Sequence, residues 1–182
     1  MRLFSILFAL LFTSIASALE LPATDGKTYD PASAGEKKAV VLFFVSPFCS
    51  TTKSFMKEIN QIAADYSDRV AVYLSHSDPE ITMEVAMEHA ILSEVKATVL
   101  LDKEQALAKQ VQAKITPEAV VLSPKGETLY KGRINDLYLG PTKRQRAATT
   151  KDLRDALDAI LAGKPVPAPQ PAAQGCKIGG LK

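Results

Sequence analysis

The sequence predicts an α/β layer fold with a central, largely parallel sheet. Two observations carry that expectation: β-branched apolar runs alternate with segments of helical periodicity, and the last two runs flank a hairpin turn. At 182 residues, 47% hydrophobic and 23% charged, the chain has the length and balance of one domain with its own core. Lys and Arg number 22 against 20 Asp and Glu. That net +2 excludes strong electrostatic attraction to nucleic acid. Two cysteines exclude a disulfide-rich scaffold and a four-cysteine zinc site.

The elements follow in order. Lys38 to Val45 is a continuous β-branched and aromatic run, the pattern of a strand buried on both faces. Ser50 or Thr51 caps a helix whose apolar residues Phe55, Ile59, Ile62, Ala63 and Tyr66 recur at helical spacing. Arg69 to Leu74 reads as a second strand. Asp78-Pro79-Glu80 supplies an N-cap, an N1 proline and an acidic first turn for a helix to about Leu92. Ala97 to Leu101 is a short strand, and Lys103 to Gln112 a short helix. Ala119 to Leu122 and Thr128 to Lys131 flank the turn Pro124-Lys125-Gly126-Glu127. A capping box of Thr149 and Asp152 opens the final helix, striped by Leu153, Ala156, Leu157, Ile160 and Leu161 and stopped by Gly163. Between hairpin and final helix, Asn135 to Ala148 reads as a solvated loop carrying Lys143, Arg144 and Arg146.

Residues 1–18 are a different kind of sequence. Arg2 precedes an almost wholly apolar run from Leu3 to Ile15, and Ala16-Ser17-Ala18 is a small-x-small cleavage site. The run falls short of the roughly 20 residues that span a bilayer, and no charged stop-transfer segment follows. A signal peptide cleaved after Ala18 is expected, leaving no stable membrane insertion. The product is periplasmic or secreted, where a disulfide persists. The domain is expected over residues 19–163. Residues 164–182 form a Pro/Ala-rich tail, a semi-rigid spacer carrying Cys176.

Cys49 is the candidate nucleophile. It directly follows the first long strand and opens a helix, where ligands and active groups of open α/β sheets lie. A helix N-terminus stabilises a thiolate and so raises the fraction of nucleophile at neutral pH. The competing reading is a buried structural cysteine.

Val41 to Lys53, VLFFVSPFCSTTK, resembles the active-site strand, loop and helix start of the thioredoxin-like superfamily. Ile115-Thr116-Pro117, before an apolar strand and a Gly hairpin, is similar to that fold's Thr-Pro segment. Within the superfamily the chain looks most like the redoxins, the group of alkyl hydroperoxide reductase and thiol-specific antioxidant proteins; Leu122 to Gly140 is reminiscent of peroxiredoxins. The resemblance implies a central mixed sheet flanked by helices, ending in a hairpin and a C-terminal helix. It also implies a Thr116–Pro117 bond that is cis and faces Cys49.

The departures matter as much. Thr52 stands where a dithiol thioredoxin has its second cysteine, so no disulfide can form within the loop. Copper-delivery relatives need that cysteine and a histidine. Of the peroxiredoxin pattern, Ser46 stands in the Thr position and Leu42 in the Pro position. Arg133 is the nearest counterpart of the family's arginine. Cys176 supplies the second sulfur from the tail, which is long enough to reach Cys49 within a chain or across a homodimer.

His76 is expected in a solvated loop on the sheet edge shared with Cys49, with tuning of the thiolate as the alternative. His89 is expected mid-helix, at the surface or half-buried. No cofactor and no metal site are expected.

The reading is therefore an exported, peroxiredoxin-like thiol oxidoreductase. Cys49 reacts with a hydroperoxide or with a protein disulfide or thiol, and Cys176 resolves. Ser46, Thr52, Thr116, Pro117 and Arg133 line the pocket, and an external thiol reductant completes the cycle. The competing class is a non-enzymatic thioredoxin-like module with a structural Cys49–Cys176 bridge, or a copper-binding one.

Overall fold

The computed structural model describes residues 19–181, and the expected signal peptide lies outside them. Along the chain run β1 (Leu21–Pro22), β2 (Thr28–Tyr29), β3 (Ala39–Phe44), α1 (Ser50–Tyr66), β4 (Val70–His76), α2 (Met83–Leu92) and β5 (Thr98–Leu101). They are followed by α3 (Ala106–Gln110), β6 (Ile115–Thr116), β7 (Glu118–Leu122), β8 (Thr128–Gly132), β9 (Tyr138–Gly140), β10 (Lys143–Arg144), α4 (Asp152–Leu161) and β11 (Cys176–Lys177).

The main sheet is mixed, in the order β5-β4-β3-β7-β8. β3 is its axis, parallel to β4 and antiparallel to β7. All six β3 residues are buried, because alternate side chains enter two separate cores. Val41 and Phe43 pack with Phe55, Ile59 and Ile62 of α1, Ala86 of α2 and Leu153 and Leu157 of α4. Val40, Leu42 and Phe44 pack on the opposite face with Leu21, with Leu107 and Ala108 of α3, and with Ile178 from the tail. An uninterrupted apolar strand is what two covered faces require.

Several local details differ from the sequence expectation. Cys49, rather than Ser50 or Thr51, is the N-cap of α1, and no side chain caps it. The Asp78 carboxylate accepts from Glu80 N–H in a local turn, which diverts the backbone from a helix. α2 begins at Met83 instead, with the Thr82 hydroxyl accepting from Val85 N–H at 3.3 Å. α3 is shorter than expected; its first amides are capped by buried Asp102, which accepts from Leu107 and Ala108. The segment read as a solvated loop contains the β9–β10 ribbon.

The capping box of Thr149 and Asp152 does not form. Asp136 takes the Thr149 and Thr150 amides and the Thr149 hydroxyl, while Asp152 pairs with Arg133 at 2.9 Å. Asp136 was hidden from the sequence because it lies thirteen residues before Thr149.

From Gln170 onward the tail is docked rather than free. Gln170 accepts from Lys131 N–H and donates to Leu129 O, and Pro171 O accepts from Arg133 N–H at 2.9 Å. These groups belong to the outer edge of β8. A Cβ at Gly132 would overlap Pro171 O, so the approach needs glycine. Further on, Ile178 N–H donates to Lys114 O, and Gln105 Nε2 donates to Gly179 O at 2.7 Å.

Asp136 gives an acid-sensitivity test. Burial opposes its charge, but the Thr149 and Thr150 donors outweigh burial and hold the carboxyl well below the usual carboxylate range. A depressed folded pKa adds stability above the unfolded value of about 3.9, and that stability is lost as pH falls below it. Asp136→Ala should therefore unfold about 1–3 kcal/mol more readily in urea at pH 7, with the gap from the parent closing below about pH 4. A gap independent of pH would remove the carboxylate from the account.

Candidate functional site

The carboxyl end of β3 delivers the chain into Ser46-Pro47-Phe48-Cys49. Three hydrogen bonds hold this loop: Cys49 N–H donates to Ser46 O, Phe48 N–H to the Ser46 hydroxyl, and Ser46 N–H to the Thr52 hydroxyl. Thr52, where a second loop cysteine would stand, is fully buried and serves as that acceptor. The loop puts Cys49 at the N-terminus of α1, where unpaired amides and the helix dipole favour a thiolate.

Cys49 is 2% exposed and is bonded to Cys176, with Cα atoms 6.0 Å apart and a sequence separation of 127. The bond lies within one chain, one of the two pairings the sequence left open. Cys176 sits on β11, which pairs antiparallel with β6, setting Cys176 opposite Thr116 and Lys177 opposite Ile115. The Thr116 hydroxyl donates to Cys176 O, and Thr116 O lies 3.2 Å from the Cys49 sulfur. In the disulfide this is a contact; only a Cys49 thiol has a proton to donate there. The Thr116–Pro117 peptide is cis.

Glu118, just past Pro117, is largely buried, and its carboxylate accepts from Lys114 N–H at 2.8 Å across the turn. Burial raises its pKa, against the pull of the Lys114 and Ile115 amides. It fixes the Thr-Pro segment from within. Arg133 is elsewhere engaged: its guanidinium makes two bonds to Asp152 at the start of α4. Thr116 thus touches both cysteines, Ser46 and Thr52 hold the loop that carries Cys49, Pro117 follows Thr116 in the cis bond, and Arg133 serves the α4 junction.

His76 contradicts the expected solvated loop. It ends β4 and is fully buried, because β4 extends two residues beyond Leu74. Its Nδ1 lies 3.1 Å from Val45 O, and its Nε2 lies 3.3 Å from His89 Nδ1. A carbonyl only accepts, so Nδ1 carries the proton and Nε2 receives the His89 N–H. Desolvation, then the neighbouring His89, push the His76 pKa down to about 4; burial also lowers that of His89. His89, Phe48, Met56, Val85 and Leu92 line a cleft of about 690 Å³ beside the loop. Pairing of these histidines across thirteen residues left no local signal.

The model of the AhpC/TSA family matches residues 13–131. The fold is similar to an uncharacterized conserved protein from Geobacillus kaustophilus: 26% identity, 90% of each chain covered, TM-score 0.77. A hypothetical protein from Sinorhizobium meliloti 1021 is similar at 26% identity, over 88% of this chain and 89% of that one, TM-score 0.76. A secreted disulfide oxidoreductase of Mycobacterium tuberculosis shares the fold at 16% identity, over 80% of this chain and 96% of that one, TM-score 0.54. No curated protein matches the chain.

The histidine pair gives its own pH signature. The unfolded chain takes up protons at about pH 6.5, whereas folded His76 stays neutral to about pH 4, so folding stability falls as pH drops through that window. His76→Gln should show a shallower loss of urea midpoint between pH 7 and 4 than the parent. Equal slopes would mean that the pair does not set this dependence.

Proposed function

The chain belongs to the AhpC/TSA family, and on that premise we propose that it is an exported thiol–disulfide oxidoreductase with Cys49 as nucleophile and Cys176 as resolving thiol. The observation that carries the reading is the Cys49–Cys176 bridge, made between a helix N-terminus and a tail strand beside Thr116 and Pro117. In the reduced protein the Cys49 thiolate attacks a substrate disulfide. A Cys49–substrate bond forms and the other substrate sulfur leaves as thiolate. The Cys176 thiolate then attacks the Cys49 sulfur, closing the internal bridge and releasing the substrate thiol. The substrate gains two electrons and the protein loses them.

Resetting the protein takes an external thiol reductant. Cys49 is buried while Cys176 is half-buried, so that thiol reaches Cys176 first. Cys49 leaves as the thiolate favoured at the start of α1, which makes it the better leaving group. A second thiol then frees Cys176. Export is supported by the sequence of residues 1–18 and by the secreted relative that shares the fold.

The engagement of Arg133 by Asp152 favours disulfide exchange over peroxide reduction, which gains from a cation beside the sulfur. With a protein or small-molecule disulfide as substrate, Cys49→Ser should lose all turnover. Cys176→Ala should stop after one half-reaction, accumulating a mixed disulfide on Cys49 that intact-mass measurement detects. Full turnover in Cys49→Ser, or a native bridge that persists in excess dithiothreitol under native conditions, would end the enzymatic reading. Sulfenic acid on Cys49 of Cys176→Ala, formed at low peroxide, would move the substrate to hydroperoxides.

A further inference from the structure

We propose that the tail strand occupies the place of the substrate, so that reduction uncovers a peptide-binding edge selective for glycine immediately before the reacting cysteine and an apolar residue two positions after it. This rests on the thiol-exchange reading above and specifies its substrate class: an extended, cysteine-containing polypeptide segment.

Three features of β6 and its partner carry the inference. β11 adds to β6 as an antiparallel strand, with backbone pairing at Cys176–Thr116 and Lys177–Ile115 and a further bond from Ile178 N–H to Lys114 O. Backbone pairing is available to any extended chain, so it supplies affinity without demanding a sequence. Gly175 supplies the demand: a Cβ there would run into Thr116 O and crowd Pro117 Cδ, and the first is rigid backbone. Ile178, on the same face of the strand as Cys176, is buried against Leu21, Val111 and neighbouring apolar groups, while Lys177 between them is exposed. The tail therefore reads Gly-Cys-x-apolar into a slot, a shape and a pocket. A foreign segment in the same register meets the same three constraints.

The Cys49 thiolate attacks the cysteine sulfur of the arriving segment; the bond between that sulfur and its former partner breaks, and the partner departs with the electron pair. With the tail seated, Cys49 is buried and Thr116 is already paired, so the edge opens only after the internal bridge is reduced.

The test uses the full chain carrying Cys176→Ser and three six-residue peptides activated at cysteine as mixed disulfides with thionitrobenzoate. The first contains Gly-Cys-Lys-Ile, the second Ala-Cys-Lys-Ile and the third Gly-Cys-Lys-Asp. Release of thionitrobenzoate, read at saturating and limiting peptide, gives the rate at Cys49. The first peptide should saturate and exceed both others at least about tenfold in kcat/KM, as expected when a rigid backbone must admit a methyl group or a charge must enter an apolar pocket. Equal, unsaturable rates for the three would overturn the peptide edge while leaving Cys49 a working nucleophile. No reaction with any peptide or with the small aromatic disulfide itself would overturn the thiol-exchange reading, and this inference with it. If Cys176→Ser does not fold, Gly175→Ala in the chain with both cysteines reads the same contact. Its bridge should be at least about tenfold less favoured in glutathione buffer; an unchanged equilibrium would overturn the proposal.

Discussion

Everything at the site hangs on a strand with no solvent-facing side. β3 is enclosed by two cores, and neither face could tolerate a one-residue slip without exchanging their contents. That fixes where the strand ends, and so where the Ser46–Cys49 loop begins and where α1 starts. β7 lies directly beside β3, with Phe44 opposite Glu118, which brings the Thr116–Pro117 segment to the level of Cys49. The meeting of loop, helix terminus and Thr-Pro segment is a consequence of register in the sheet.

The parts legible in the sequence were those with a local signature. Continuous apolar character announced β3, helical spacing announced α1, and a Gly turn announced the β7–β8 hairpin. Cys49 stood out because strand end and helix start are adjacent in the chain. The parts that were not legible depend on contacts between distant residues. Asp136 displaced Thr149 from the capping role, and Asp152 was drawn to Arg133, so two reasonable local assignments failed for one tertiary reason. His76 reads as solvated because the apolar pattern stops at Leu74, whereas β4 runs on to His76. The docking of the tail was hidden for another reason: Pro and Ala composition describes stiffness but not destination. Its only trace was glycine at 132 and 175, two places where a Cβ on the tail or its track would meet rigid backbone.

The tail also changes how the bridge should be understood energetically. A disulfide that closes a loop of this size restricts the unfolded chain strongly, by about 4–5 kcal/mol in chain-entropy terms. In the folded protein the two sulfurs are held near one another by Gln170, Pro171, Ile178 and Gly179 on either side of Cys176. Gln170 and Pro171, bonded to β8 and not to β6, tether the tail even when β11 leaves its edge, and so keep Cys176 at a high effective concentration near Cys49. In the proposed cycle, resolution of a mixed disulfide on Cys49 is then intramolecular.

The same anchoring has a bearing on colloidal behaviour. A sheet with bare outer strands offers rows of unpaired amides on which other chains can assemble. Here β8 is covered by Gln170 and Pro171, and β5 meets the N-terminal segment, where Ala23 bridges Leu100 and Thr24 N–H donates to Val99 O. Both margins of the main sheet are thus occupied by the chain's own irregular segments. Proline at 171 adds to the protection, since it has no amide with which to recruit a further strand. Detachment of residues 170–173 would therefore do more than loosen the tail. It would lay bare the backbone groups that Gln170 and Pro171 now satisfy at that margin, leaving a row open to pairing by another chain.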